Sequence, residues 1–249
     1  MKFFTDKTVL NDYLLVKIKD YLKMKDFSRW KEVFIDPGVY ELTKSKFYSW
    51  EKETYQQTLK FIIDFLDSLP DDHYFSWDYP CDMNLQYQDF FINRTWENAT
   101  HFCYHPNYIV TVQSKFRNYW NFVEWFDKYN DLEIASGILG LGNMCRFRSL
   151  NQFLKHTIDY AFSHCKHKRI HIYGLCLKSI PYADHLAKQF NIAFSIDSTK
   201  WTRPCTVELK KLCGLWFKHE YRQNCFDAYL EEIRKRDVIL ENVMIKGGS

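Results

Sequence analysis

The sequence predicts an α/β fold, specifically a (β/α)8 barrel. Short apolar segments of strand character alternate with helical periodicity at least six times along the chain. Such alternation is typical of parallel strands joined by right-handed helical crossovers. Polar residues or glycines follow nearly every short segment. A closed barrel draws its site from many strand ends, whereas an open sheet concentrates it at one switch point, and the pattern therefore favours the barrel.

Seven strands are expected from the apolar and β-branched segments. They span residues 2–5, 32–35, 73–77, 108–112, 132–135, 169–173 and 192–196. Amphipathic spacing predicts the helices between them, at residues 8–24, 54–69, 85–102, 116–129, 149–164 and 178–190. No eighth strand is evident beyond Arg203, so we expect it to be irregular or missing, with a mainly helical segment from about residue 205 to 249.

Length and composition indicate one globular domain over residues 1–249. The chain is 46% apolar and 26% charged, and it contains no linker-like or low-complexity tract. The amino terminus lacks the apolar core of a signal peptide, and no run of about 18 apolar residues occurs. We therefore expect a soluble cytoplasmic protein that does not enter membranes. Eight irregularly spaced cysteines are typical of reduced thiols.

Three of the expected strands lead directly to an aspartate. Asp36 precedes Pro-Gly, Asp78 precedes Tyr-Pro, and Asp197 precedes Ser-Thr. Carboxyl ends of parallel strands are where barrels and open α/β sheets hold their catalytic groups. For Asp197 taken alone, a helix-capping role is an equally simple interpretation. The repetition of the pattern along the chain favours a site.

Basic residues concentrate in one part of the sequence. Residues 143–222 carry 14 Lys and Arg against 5 Asp and Glu, although the whole chain has a net charge of only +3. A basic region of this kind is typical of a protein that binds the phosphate backbone of nucleic acid. The alternative is that these charges are dispersed over a solvated surface.

Other groups of residues suggest other chemistry less specifically. Two sets of histidines and cysteines have the residue types of metal ligands without the paired spacing of a zinc module: His101, Cys103 and His105, and His164, Cys165, His167 and His171. Gly137, Gly140 and Gly142 resemble a phosphate loop, but no Lys-Ser or Lys-Thr follows. A nucleophilic Cys205 or Cys213 would require a histidine partner that the sequence does not locate.

Six motifs, taken in chain order, resemble a known family. They are IDPGVY, FSWDYP, VQS, GLGNMCR, HIYGL and SIDSTKWTR. Together they resemble the tRNA-guanine transglycosylases, also called queuine or archaeosine tRNA-ribosyltransferases. They are closer still to short relatives from phages and archaeal viruses, some of which act on DNA. The resemblance covers about residues 33–204. It implies a barrel that replaces guanine in tRNA or DNA with a 7-deazaguanine base, without a cofactor, in the host cytoplasm if the protein is viral.

The resemblance also implies roles for the strand-end residues. Asp197 matches the nucleophilic aspartate and Asp36 the general acid/base. Asp78 and Gln113 match the pair that binds the edge of the purine. This assignment suits the chemistry, because displacement at C1′ needs an adjacent carboxylate, and exchange of two bases needs a second carboxylate that moves the proton.

Further positions are assigned to the base and to the polynucleotide. The positions implied to contact the base are Tyr40, Tyr173, Gly140, Gly142 and Gly174. The two tyrosines would stack on the base, and the backbone around Gly140 and Gly142 would contact its 7-substituent. Arg203 matches an arginine that holds a phosphate. Lys200 and Arg146, within the same motifs, are expected to contact the nucleic acid as well. Many relatives form homodimers, and the sequence leaves open whether this chain does.

The chain departs from the family pattern in three places. The zinc-binding CxCxxC run is absent, and Pro37 and Val39 replace a serine and a glycine of the usual DSGG turn. No carboxy-terminal RNA-binding domain follows, which makes DNA a candidate substrate. Two alternatives from other classes stay open: a barrel that binds nucleic acid without catalysis, and a metal-dependent hydrolase that uses the histidines.

Overall fold

Parallel strands that alternate with helices make up an α/β fold. The structure, a computed structural model, describes residues 1–5, 11–39, 47–81, 85–147, 149–197 and 226–235, and the backbone alone for residues 47–53, 85 and 146. Eight strands lie in this part of the chain: β1 Lys2–Phe4, β2 Tyr13–Lys17, β3 Glu32–Asp36, β4 His73–Phe75, β5 Val110–Val112, β6 Ile138–Leu141, β7 Arg169–Tyr173 and β8 Ala193–Asp197.

Helices connect the strands. Those described are α1 Ile18–Tyr21, α2 Phe47–Asp67, α3 Gln88–Phe102, α4 Tyr119–Asn130, α5 Gln152–His164, α6 Ile180–Gln189 and α7 at 226–235. Two of them start with an asparagine cap that accepts a backbone N–H, Asn118 before α4 and Asn151 before α5. Such caps satisfy backbone donors that the first helical turn leaves unpaired.

The strands form two parallel sheets. One has the order β1-β8-β7-β6-β5 and the other the order β2-β3-β4. A single parallel bridge, Thr5 with Leu14, joins β1 to β2, and a second, Phe75 with Tyr108, joins β4 to the start of β5. Backbone hydrogen bonds accompany both, from Leu15 to Thr5 over 2.6 Å and from Ile109 to Phe75 over 2.8 Å. No hydrogen-bonded sheet closes on itself among the described strands.

The segment at 8–24 corrects the sequence prediction. A helix was expected there, but the described part contains strand β2 followed only by the single turn α1. In β2, Leu14 and Val16 are buried in the main core, while Leu15 packs against a smaller cluster on the opposite face. A strand with apolar side chains on both faces fits helical spacing as well as strand spacing. The strand that the sequence did not reveal is therefore β2.

Strand β6 also differs from the prediction. It lies at Ile138–Leu141 rather than at 132–135, and Gly137 precedes it with φ +65°. Glycine is disfavoured within strands, so the ILGL segment resembles a loop in sequence. The other six expected strands agree with the structure to within two residues at each end.

Two apolar clusters hold the fold together. The larger lies between the strands and the helices. The smaller lies on the opposite face of the strands and contains Phe4, Phe34, Ile109 and Ile138, with the Phe4 and Phe34 rings stacked 3.8 Å apart. Since the two faces of a strand alternate, both clusters draw on the same strands.

Helix α7 is the described part of the carboxy-terminal region. The Phe226 and Tyr229 rings lie 5.5 and 5.7 Å from the ring of Phe3 in β1, so α7 packs against the first strand. The rest of the expected helical segment, 205–225 and 236–249, is outside the described residues. None of the helices in the described ranges is long and apolar enough to cross a membrane.

Candidate active site

A cavity of about 340 Å³ opens at the carboxyl ends of the strands. Seven of the residues assigned from the sequence line it: Asp36, Asp78, Gln113, Gly142, Tyr173, Gly174 and Asp197. They come from β3, β7 and β8 and from the residues that follow β4, β5, β6 and β7. Groups that lie up to 161 positions apart in sequence, from Asp36 to Asp197, therefore share one small space.

Asp197 is the last residue of β8 and is 9% exposed. Its Oδ1 accepts the backbone N–H of Gly174 over 2.6 Å. Burial raises the pKa of Asp197 to about 7; the Gly174 hydrogen bond acts in the opposite direction, and the Asp36 and Asp78 carboxylates add to the rise. A carboxylate with this pKa changes its charge close to neutral pH.

Asp36 ends β3, which belongs to the other sheet from the β8 strand of Asp197. The Gly38 backbone N–H donates to Asp36 Oδ1 over 2.8 Å, and Gly38 has φ +77°. This turn keeps the carboxylate at the strand end, half-buried. Its charge is close enough to raise the pKa values of both Asp78 and Asp197.

Asp78 and Gln113 form a hydrogen-bonded pair. Gln113 Nε2 donates to Asp78 Oδ2 over 2.7 Å, and Ser76 Oγ donates to Oδ1 over 3.2 Å. Burial raises the pKa of Asp78 to about 6, although the Gln113 and Ser76 hydrogen bonds favour the ionised form. The pair presents a carboxylate and an amide side by side, which suits a planar partner with several N–H donors.

Two glycines of β6 and its carboxyl end make room for site side chains. A Cβ at Gly142 would lie 2.3 Å from Gln113 Nε2, so only glycine leaves space for the Gln113 amide. A Cβ at Gly140 would lie 2.8 Å from both Tyr173 Cε2 and Thr111 Oγ1. Gly140 is not among the residues that line the cavity, and its lack of a side chain leaves room for the Tyr173 ring.

Tyr173 ends β7 and its side chain enters a polar network. Its hydroxyl accepts from Thr111 Oγ1 over 3.4 Å, and Thr111 in turn lies 2.8 Å from Ser76 Oγ. Burial raises the pKa of Tyr173 above its usual range, so the phenol is neutral. The ring packs edge-on against His171 at 4.6 Å. An aromatic side chain thus forms part of the cavity wall.

Several assigned residues are not described. Tyr40, Lys200 and Arg203 lie outside the described residues, and of Arg146 only the backbone is described, in the helical turn Met144–Arg146. Cys205 and Cys213 also lie outside. Within the described ranges, no group of three or more His, Cys, Asp and Glu residues is arranged to hold a metal ion.

Sequence reasoning missed four polar residues beneath or beside the cavity. They are Ser76, Thr111, Asn143 and Ser195. Three of these occur two positions before an assigned residue, because residues i and i+2 of a strand face the same side. The pairs are Ser76 with Asp78, Thr111 with Gln113, and Ser195 with Asp197. A polar residue two positions before Asp78, Gln113 and Asp197 was therefore the available signal, although Asp36 has Phe34 at that position.

Comparisons with known proteins do not supply a family. The chain matches no protein-family model, no curated protein and no solved structure. Any functional assignment consequently depends on the geometry of the cavity and on the motifs that line it.

Proposed function

We propose that this protein is a transglycosylase that exchanges guanine in a nucleic acid for a 7-deazaguanine base through a covalent aspartyl intermediate. The observation that carries the proposal is the convergence of three carboxylates, Asp36, Asp78 and Asp197, on one cavity at the carboxyl ends of parallel strands. Two of them are held in environments that bring their pKa values to about 6 and about 7, which is typical of groups used in acid/base and nucleophilic chemistry.

The fold we propose for this function is an eight-stranded barrel. In its support, the two sheets have edges that face each other, β1 with β2 and β4 with β5, and one parallel bridge spans each gap. The resulting strand order follows the chain order around a ring, as in a (β/α)8 barrel. The cluster containing Phe4 and Phe34 would then fill the interior, and the cavity would lie at the end where such barrels hold their sites.

The first chemical step is attack of Asp197 on C1′ of the target nucleoside. Gly174 binds Oδ1, so Oδ2 is the oxygen placed for attack. The bond from C1′ to guanine N9 breaks as the ester bond from Oδ2 to C1′ forms, and the electron pair leaves with guanine. Asp36, which lines the same cavity, donates the proton that the departing base needs.

The second step reverses the first with a different base. The incoming 7-deazaguanine gives its N9 proton to the ionised Asp36, and N9 forms the new bond to C1′ as the ester bond to Asp197 breaks. This proton replaces the one that Asp36 gave to guanine, and Asp197 is again a free carboxylate, so the cycle closes. The exchange needs no redox cofactor, because no electrons are gained or lost overall.

Asp78 and Gln113 account for base selection in the proposal. The ionised Asp78 accepts two N–H groups from the edge of guanine or 7-deazaguanine, and the Gln113 amide fixes its orientation. The cavity volume is at the small end of the range for ligand pockets, which suits one base with its sugar. A base in such a cavity must be extruded from its stack in the polynucleotide.

The test is uptake of labelled guanine into tRNA and, separately, into duplex DNA, followed by trapping of the adduct on denaturing gels. We expect one polymer to acquire label and Asp197→Asn to lose both label and adduct. Asp12→Asn, at an exposed side chain that pairs with Lys31, is the matched control and should retain both. Binding of the polymer without uptake by the unmodified chain would identify a non-catalytic nucleic-acid-binding barrel and overturn the proposal.

A further inference from the structure

Two loops beside the cavity carry exposed aromatic and basic side chains. The first, residues 113–120, comprises the loop after β5 and the first two residues of α4, and the second, residues 149–156, comprises the three residues before α5 and its first five residues. Both follow the carboxyl ends of their strands, and Gln113, the first residue of the first loop, lines the cavity. The rings of Phe116 and Phe147 pack 5.5 Å apart and hold this part of the structure together.

Trp120 is the dominant feature of this surface. It lies in the first turn of α4 and is 78% exposed, the largest exposed fraction among the described large apolar side chains. Its ring lies 5.4 Å from Tyr119, whose ring in turn lies 5.9 Å from His156 in α5. Single exposed apolar side chains are common on protein surfaces, so the meaning of Trp120 depends on the side chains around it.

The acidic side chain nearest to Trp120 along α4, Glu124, is paired with Lys128 over 2.8 Å. Neither loop contains an Asp or Glu, and together they carry Lys115, Arg117 and Lys155. Lys115 pairs with Asp89 over 2.9 Å, while Arg117 and Lys155 lie over aromatic rings, of Phe116 and Tyr182. Both Arg117 and Lys155 are exposed. The surface therefore combines an open aromatic face with positive charge, a combination typical of binding to unpaired nucleotides.

We propose that this surface, defined by Trp120, Arg117 and Lys155, binds the unpaired strand next to the extruded target base, with one neighbouring base stacked on Trp120 and phosphates beside the two cations. The inference rests on the proposed function for its choice of partner. Gln113 and Trp120 are seven residues apart, a separation of at most about 25 Å in an extended chain, so a strand that enters the cavity reaches Trp120 within a few nucleotides.

A polynucleotide fits the surface better than a peptide does. An acidic peptide would satisfy the cations but would leave the open face of Trp120 without a planar partner. A base supplies that partner, and every base has a face that stacks, so the contact requires no particular sequence. Taking one base out of its stack also exposes its neighbours, which provides a role for a second stacking surface outside the cavity.

The experiment measures binding of short fluorescent oligo(dT) and oligo(U) strands, each with one central guanine, by anisotropy. All variants are made in the Asp197→Asn protein, so that no turnover occurs and binding is measured independently of exchange. We expect Trp120→Ala to weaken binding about 5- to 150-fold for whichever strand binds, the range for losing one stacked base. Arg117→Gln and Lys155→Gln should each lower the slope of log affinity against log salt by about 0.7.

Matched controls lie at the opposite end of the strands. Tyr104→Ala removes a 66% exposed ring before β5, and Lys168→Gln removes an exposed cation before β7; neither should change affinity or slope. If Trp120→Ala bound the strands as tightly as the protein that retains Trp120, the proposed binding surface would be wrong. It would also be wrong if neither strand bound. Binding that depends on Trp120 in a protein that never takes up labelled guanine would overturn the exchange reaction alone.

Discussion

Gly174 donates its backbone N–H to Oδ1 of Asp197 over 2.6 Å, across neighbouring parallel strands that pair Tyr173 with Asp197. Gly174 has φ +67°, and a Cβ there would lie 2.4 Å from the Cβ of Cys145. Only glycine fits both the backbone conformation and the space. The bond fixes one carboxylate oxygen and favours the ionised form, whereas burial favours the protonated form and brings the pKa of Asp197 to about 7.

The rate of base exchange should fall on the acid side of neutrality. Asp197 must be ionised to attack C1′, and with a pKa of about 7 it loses its charge as the pH falls through that value. Below pH 6 the rate should drop about tenfold per pH unit, and more steeply where Asp78, with a pKa of about 6, also becomes protonated. The measurement is initial label uptake between pH 5 and pH 9.

Asp78→Asn provides the internal control for this pH profile. The Asp78 charge contributes to the raised pKa of Asp197, so the acid limb should move to lower pH when that charge is removed, even though the maximal rate also falls. A rate that stays constant down to pH 5 would show that Asp197 is not the group that controls activity.

Asp197→Asn should stabilise the protein, and more so at high pH. The raised pKa means that the folded state binds the Asp197 proton more tightly than the unfolded chain does. The stabilisation is therefore present at low pH and is lost as the pH rises from about 4 to about 7. An asparagine does not titrate, so the Asp197→Asn protein does not lose this stabilisation. The difference between its free energy of unfolding and that of the unmodified protein should grow by about 2–3 kcal/mol between pH 5 and pH 8.

Denaturant unfolding at the two pH values measures this difference. Asp12→Asn, at a 55% exposed side chain, should show no comparable change with pH. If the advantage of Asp197→Asn were the same at pH 5 and pH 8, the carboxylate would not be held in the unfavourable environment that the structure describes.

The sequence predicted the strand-end groups well because they obey a simple rule. Asp36 and Asp197 are the final residues of their strands, and Asp78 and Gln113 follow theirs within three positions. The turn residues beside them are visible in sequence. The sequence did not reveal β2, because Leu14, Leu15 and Val16 are apolar on both faces and give no period of two.

Contacts between strands that are far apart in sequence could not be predicted from the sequence. Gly142 makes room for Gln113, and Gly140 makes room for Tyr173. Both contacts depend on the register of β5, β6 and β7. A one-residue shift in register would move these side chains to the other face. Composition and periodicity contain no information on that register.

Gly142→Ala should impair base binding more than it impairs folding. The new methyl group would lie 2.3 Å from Gln113 Nε2, so the amide must move and its 2.7 Å hydrogen bond to Asp78 must break or rearrange. We expect KM for the free base to rise about tenfold, the cost of roughly one hydrogen bond to a charged group. Steady-state kinetics with guanine as the varied substrate measures it.

Gly137→Ala is the matched control for this substitution. It places a methyl group at a φ of +65° and 3.2 Å from Lys168, at the other end of β6, and so it strains the chain without touching the cavity. It should lower stability and leave KM unchanged. Equal KM values for Gly142→Ala and the unmodified protein would mean that the position of Gln113 does not matter for the base.

Glu32→Gln should destabilise the fold without altering the site. At the amino-terminal ends of the strands, Glu32 pairs with Arg169 over 2.6 Å and also with Lys2, and the Arg169 side chain is only 8% exposed. Removing the negative charge leaves two cations close together and one of them buried, at a cost of about 3 kcal/mol in the free energy of unfolding. The exposed pair of Lys31 and Asp12 provides the comparison, since Asp12→Asn should cost under about 1 kcal/mol.

Urea unfolding gives the two stabilities, and label uptake per folded molecule gives the activity. Because the ion pairs lie at the opposite end of the strands from the cavity, Glu32→Gln should retain the exchange rate of the unmodified protein at a temperature where both are folded. If Glu32→Gln lost no more stability than Asp12→Asn, the buried Arg169 would have found another partner. A fall in rate would show that the two ends of the strands are coupled, since the substitution itself touches none of the residues that line the cavity.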